Sequence, residues 1–302
     1  MSFILRIHIG LIFQKKIFYR QLLNIKTGHV VLEGSREEKR LKTRIITAVV
    51  ALIFFIPFVV YGGIPFELLS ILLATIALYE VLVMTKQRIF SMNGIITLLL
   101  MWLVVVPDRY LDFLDTLHIT EMEVIFILMA LLLANTVFSR NKFHFDQVGI
   151  CMVAAFYTGF GFHYLALTRE AGLMYVLFAL FIVWSTDTGA YFIGKAIGKH
   201  KLAPNVSPNK TVEGFIGGIV CALVIAGGFY YFAELPGNIA LVLALLVFLS
   251  IFGQLGDLVE SALKRFYGVK DSGKILPGHG GILDRFDSLL FVLPLLHILQ
   301  II

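Results

Sequence analysis

The sequence predicts an all-α integral membrane protein with about nine transmembrane helices, its N-terminus cytoplasmic and its C-terminus outside. Three observations predict this. Of 302 residues, 59% are hydrophobic and only 15% charged, against roughly half and a quarter in a soluble domain, and the mean hydropathy is +0.89. Nine apolar runs come near the length of about 20 residues that a bilayer requires. With the N-terminus inside, all Lys and Arg residues except Arg109 and Arg169 fall on the inner side, as the positive-inside rule demands. The net charge of +5 therefore reports topology, and nucleic acid is not expected as a partner.

The elements follow in order. Residues 1–40 form a basic extension, and residues 41–302 a single polytopic membrane domain. The extension does not read as a signal peptide, because Arg6 and His8 interrupt its apolar run. Lys15, Lys16 and Arg20 alternate with Ile, Phe and Leu, which suits an amphipathic helix at the membrane surface; a disordered tail fits as well. The apolar runs are Ile45–Tyr61, Phe66–Met84, Ile89–Val106, Met122–Phe138, Val148–Leu167, Gly172–Ile193, Gly214–Ala233, Asn238–Gly256 and Phe286–Ile302. The third and ninth are short. Gly159, Gly161, Gly217 and Gly218 suit close helix packing. Cys151 and Cys221 lie in apolar runs without metal or disulfide spacing. No internal repeat of the transporter kind stands out.

Two long polar connections, Gly194–Glu213 and Asp257–Arg285, fall on the inner side. Asp257, Glu260, Ser261 and Lys264 stand at i, i+3, i+4 and i+7, one polar stripe if the eighth helix continues. Asp284, Asp287 and Ser288 open the ninth helix, where acids also serve as ordinary first-turn residues. A carboxylate beside a membrane must be paired, protonated or metal-bound. Asp257 and Asp284 can thus converge on a divalent ion, and oxygen ligands suit Mg²⁺. The intervening PGHGG offers backbone N–H groups to phosphate.

In the other connection, Asp187 is an intramembrane acid and a candidate by default, with Lys195 as its alternative structural partner. SPNKTVEG reads as a helix start in which Ser207, Lys210 and Thr211 grip phosphate while Glu213 caps. Glu80 either joins the site or pairs with a Lys or Arg. His163 and His297 read as packed residues. The whole describes a membrane enzyme acting on a phosphorylated substrate at its cytoplasmic face.

These residues carry a resemblance. The run Ser261-x-x-Lys264-Arg265, Lys270-Asp271-Ser-Gly, Pro277-Gly-His279-Gly280-Gly281 and Asp284-Arg285-x-Asp287 resembles the signature of the phosphatidate cytidylyltransferases. DTGAYFIG, SPNKTVEG and LKTRIITA are similar too, so the likeness runs from about Leu41 to the end. It implies CTP and phosphatidic acid as substrates, CDP-diacylglycerol and pyrophosphate as products, and a role in phospholipid synthesis. It implies Mg²⁺ held by the acids of QLGD and LDR, here Asp257 and Asp284, with K⁺ beside it. It further implies a homodimer in the bacterial inner membrane, with a pocket open to the cytoplasm and sideways to lipid.

On this footing Asp287 supports the metal ligands or orients them, and Lys264, Arg265, Lys270 and Arg285 meet triphosphate or lipid phosphate. Ser207 and Lys210 contact phosphate from the other loop, Ser261 belongs to the substrate-binding set, and Asp187 and His279 to the catalytic set. The lipid phosphate attacks the α-phosphorus of CTP; it is already anionic, so charge neutralisation and positioning carry the catalysis. A transferase for another lipid phosphate would share this chemistry. A transporter would spread its acids through the bilayer depth, whereas these gather at one face.

Overall fold

The computed structural model describes the backbone of residues 30–235 and 237–302, and side chains from residue 42 onward. The expectation for the extension therefore falls largely outside the described residues. From Val30 the chain forms α1 (Val30–Tyr61), α2 (Gly63–Met84), α3 (Met92–Val105), a 3-10 turn (Asp108–Tyr110) and α4 (Phe113–Thr116). Then come α5 (Glu121–Phe138), α6 (Phe145–Ala171), α7 (Leu173–Ile197), strands β1 (Lys201–Ala203) and β2 (Ser207–Thr211), and α8 (Val212–Phe232). The chain ends with α9 (Ile239–Phe266), α10 (Leu283–Phe286) and α11 (Leu289–Ile298).

Among the described residues, seven helices are long and apolar enough to cross a membrane: α1 from Lys42 onward, α2, α5, α6, α7, α8 and α9. The chain is an integral membrane protein. The two runs expected to be short are α3, with 14 residues, and α11, with 10. The eighth run does not end at Gly256: α9 continues to Phe266, so the polar stripe is helical. The ninth is broken. α10 stops at Phe286 and α11 begins at Leu289, although Asp287 and Ser288 keep helical dihedrals.

The chain divides into two units. One comprises the residues up to Leu52 with Pro277–His279. In it, Arg44 Nε donates to the Gly278 carbonyl at 3.1 Å, and Gly278 holds φ +75°.

The other unit runs from Ile53 to Leu276 and from Gly280 to the end. Helices α7 and α8 form its most extensive pair. Their glycines explain why. A Cβ on Gly217 would stand 2.6 Å from Ile193, and one on Gly218 would stand 2.8 Å from the Thr186 carbonyl. In lipid, packing rather than the hydrophobic effect joins helices, so small residues set their approach. Gly161 likewise admits Leu290 of α11 against α6. Buried hydroxyls join α7 to α9, with Thr186 Oγ1 and Ser250 Oγ 2.9 Å apart.

At the far end of this unit, Arg169 donates to the Val60 carbonyl at the close of α1, 2.9 Å away. Arg109 pairs with Glu67 and, at 3.3 Å, with Glu170. Both basic residues that break the positive-inside count are thus held by partners.

The β1–β2 hairpin was not expected; SPNKTVEG read as the start of a helix. The helix begins at Val212, capped by Thr211 Oγ1, which accepts the Gly214 amide at 3.1 Å. Glu213 does not act as its N-cap, though its carboxylate takes its own first-turn amide. Its carboxylate reaches back to the amides of Lys199 (3.0 Å) and His200 (3.2 Å) and to His200 Nδ1 (2.6 Å). A carboxylate takes several donors, and the hairpin offers three where the helix end already has its cap.

Candidate active site

Helix α9 carries the site. Its stripe presents Asp257, Glu260, Ser261 and Lys264 toward the hairpin on one side and α10 on the other. Gly256 makes this possible, because a Cβ there would stand 2.6 Å from the Asp287 carbonyl. Two lysine–aspartate pairs result. Lys210 Nζ, from β2, lies 2.7 Å from Asp257 Oδ2, and both side chains remain about a third exposed or less, at 26% and 31%. Ser261 Oγ donates to Asp257 Oδ1 at 3.3 Å. Lys264 Nζ lies 2.6 Å from Asp284 Oδ1 and 2.5 Å from Glu260 Oε2, with exposures of 12%, 7% and 0%.

Asp284 sits in a cradle. Its Oδ2 accepts from the Ser272 amide and hydroxyl, both at 2.9 Å, and from the Gly281 amide at 2.8 Å. Burial opposes its charged form. The Lys264 ammonium and the Gly281 and Ser272 amides outweigh burial and hold the carboxyl below its ordinary range.

Asp187 and Asp287 complete an acidic group. The charges of Asp257 and Asp187 both reach Asp287, and Asp187 also senses Lys210. Asp287 Oδ1 accepts the Ser288 amide at 2.7 Å. Asp187 is exposed. Its alternative partner, Lys195, instead lies over the Tyr191 ring at 5.7 Å.

Arg265 is exposed and donates to the Val206 carbonyl at 3.3 Å, tying α9 to the hairpin. Ser207 and Lys210 lie on a strand, β2, where the start of a helix was expected. Of the two, Lys210 is the one that meets α9. Lys270, in the loop beyond α9, and Arg285, in α10, are exposed. His279 belongs to the unit with Leu52.

Three further residues matter here: Glu80, expected either to join the site or to pair with a Lys or Arg, Glu260 of the stripe, and Tyr157. Glu80, 2% exposed on α2, pairs with no Lys or Arg among the described residues. It accepts the amides of Ile282 (3.0 Å) and Leu283 (2.9 Å) and the Ser272 hydroxyl (3.1 Å). Glu260 Oε1 and the Tyr157 hydroxyl are buried without a hydrogen-bond partner among the described residues. An acid within an apolar run is a legible signal for Glu80, and the stripe for Glu260. Nothing along the chain marks Tyr157.

Carboxylates outnumber lysines: Asp187, Asp257, Glu260, Asp284 and Asp287 gather around Lys210 and Lys264. Such a group repels bare phosphate and favours a cation. The donors are oxygens, which fits Mg²⁺. No cluster of three or more His, Cys, Asp and Glu arranged for a metal occurs among the described residues.

Beside the carboxylates runs an apolar groove of about 310 Å³ between α6 and α11, lined by Val153, Phe156, Tyr157, Phe160, Leu290 and Phe291. The charges of Asp287, Glu260 and Asp257 reach the Tyr157 ring.

Helices for a bilayer and a charged site at one end of them define an integral membrane enzyme. Its sequence relationships give the particular class. The profile of the cytidylyltransferase family matches residues 42–302, and the chain belongs to that family. It is 52% identical over 262 residues to the phosphatidate cytidylyltransferase of Bacillus subtilis, covering 86% of this chain and 97% of that one. The proteins of the same name from Staphylococcus haemolyticus and Staphylococcus aureus are 48% and 46% identical, each over 86% of this chain and 99% of their own length.

Proposed function

We propose that this protein transfers CMP from CTP to phosphatidate, giving CDP-diacylglycerol and pyrophosphate for phospholipid synthesis. The observation that carries the reading is the pair of lysine–aspartate contacts, Lys210–Asp257 at 2.7 Å and Lys264–Asp284 at 2.6 Å, drawn from three separate segments. The substrates come from the relatives' name, which extends over nearly their whole length.

A lipid phosphate oxygen attacks the α-phosphorus, the bond to the bridging oxygen breaks, and pyrophosphate leaves. No base need remove a proton. Lys210 and Lys264 turn from their aspartates to phosphate oxygens, and Lys270 and Arg285 stand exposed to meet the outer phosphates. Arg265 holds the hairpin, and with it Ser207 and Lys210, against α9. Asp257 and Asp284 would hold Mg²⁺, with Asp287 beside them. When bound, Mg²⁺ neutralises the triphosphate and the developing charge of pyrophosphate. Asp187 supports the same acidic group, and His279 organises its loop. The groove between α6 and α11 takes an acyl chain, its end against the carboxylates.

The same reading puts α3 and α11 in the bilayer for nine crossings, the site on the cytoplasmic face of a bacterial inner membrane, and the protein in a homodimer with K⁺ beside Mg²⁺. On this reading residues 1–40 are an extension that the chemistry does not need. Purified protein offered CTP and a panel of lipid phosphates should release pyrophosphate with phosphatidate and Mg²⁺. Release with every lipid phosphate except phosphatidate, or none with any, would overturn the assignment.

A further inference from the structure

We infer that Glu80 is a positioning residue, holding the backbone that presents Asp284 and acting through Ser272 and the Ile282–Leu283 amides. The inference rests on the enzymatic reading above. Glu80 lies in an apolar helix at 2% exposure, where a carboxylate is costly unless its oxygens find donors. Its donors come from one place. The Ile282 and Leu283 amides, at 3.0 and 2.9 Å, immediately precede Asp284 in the chain. Ser272 Oγ lies between two carboxylates, 3.1 Å from Glu80 Oε2 and 2.9 Å from Asp284 Oδ2.

The glycines of this loop point the same way. Cβ atoms on Gly273 and Gly281 would collide with the Glu80 carboxylate. These two glycines are thus a seat for Glu80, not an open cradle for phosphate. A helix of the bundle reaches in and fixes a loop that has no regular structure of its own. What it fixes is the direction in which Asp284 Oδ1 leaves the backbone.

The test compares wild type, Glu80→Gln, Gly273→Ala and Gly281→Ala as full-length protein in detergent. Glu80→Gln puts an amide N–H where the Leu283 amide or the Ser272 hydroxyl donates. We expect kcat to fall about 10²-fold, as for a small misplacement of a reacting group, with KM for phosphatidate unchanged. Gly281→Ala, which pushes on the seat from the other side, should reproduce that split with Glu80 intact. Amide hydrogen exchange at Ile282 and Leu283 should quicken in Glu80→Gln while α6 stays protected.

Wild-type kcat in Glu80→Gln, or exchange that rises equally throughout the bundle, would overturn the inference. If Glu80→Gln does not fold, Gly273→Ala, whose Cβ would collide with Glu80 Oε1, decides it by the same split and the same exchange readout. If wild type makes no product from CTP and phosphatidate, the enzymatic reading fails, and the exchange at Ile282 and Leu283 still decides whether Glu80 holds this loop.

Discussion

Asp284 and Asp257 face the same helix end, yet the chain holds them differently. Asp284 has a lysine on one oxygen and, on the other, two backbone amides and the Ser272 hydroxyl that it shares with Glu80, within a loop that Glu80 anchors. Asp257 has Lys210 from a hairpin and Ser261 one turn along its own helix. One carboxylate is built into the structure; the other is held by two side chains that can move away. The lesson is that residues of one motif need not share one kind of role. Asp284 combines a structural duty with its place in the site, whereas Asp257 is free of that duty.

The largest expected effects are on turnover, and they are equal for the two. Asp257→Asn and Asp284→Asn should each abolish pyrophosphate release; normal activity in either removes it from the metal assignment. Stability separates them. Asp284→Asn sets an amide against the buried N–H donors of Ser272 and Gly281 and should cost about 1–3 kcal/mol. Asp257→Asn, at a partly exposed pair, should cost under about 1 kcal/mol. Thermal unfolding in detergent measures both, and equal losses would erase the contrast.

Lys264 sharpens it. Lys264→Met leaves Glu260 and Asp284 without their shared ammonium, and Glu260 has a fully buried side chain. Breaking such a pair costs about 3–5 kcal/mol, and adding Glu260→Gln should recover part of it. Lys210→Ala should leave the melting temperature nearly unmoved while lowering the rate on the order of 10²–10³, the usual loss of one charge-stabilising donor. Arg265→Ala, which frees the Val206 carbonyl, is the mildest; KM for CTP should rise by less than about tenfold, since one such bond is worth near 1 kcal/mol.

The legibility of the molecule follows the same division. The spans were readable because each rests on local composition, and the two runs that looked short, now α3 and α11, are short. The stripe of Asp257, Glu260, Ser261 and Lys264 was readable because it lies within one helix, where spacing fixes the face. SPNKTVEG misled, since Ser and Thr before a Glu describe a capping box equally well when a strand delivers the Thr. PGHGG misled in part: the glycine at Gly281 makes room for a carboxylate from a helix some two hundred positions earlier, which no local pattern encodes.

The chain alone determined that this protein lives in a bilayer, which ends carry its charge, and which residue types meet there, because hydropathy and helical period act over a few turns. Only the tertiary structure decided which aspartate would be cradled and which held loosely. That choice rests on donors brought from β2 and the loop before α10, and on the acceptor Glu80 from α2, and where such distant groups meet is set by how closely glycine-bearing helices can approach.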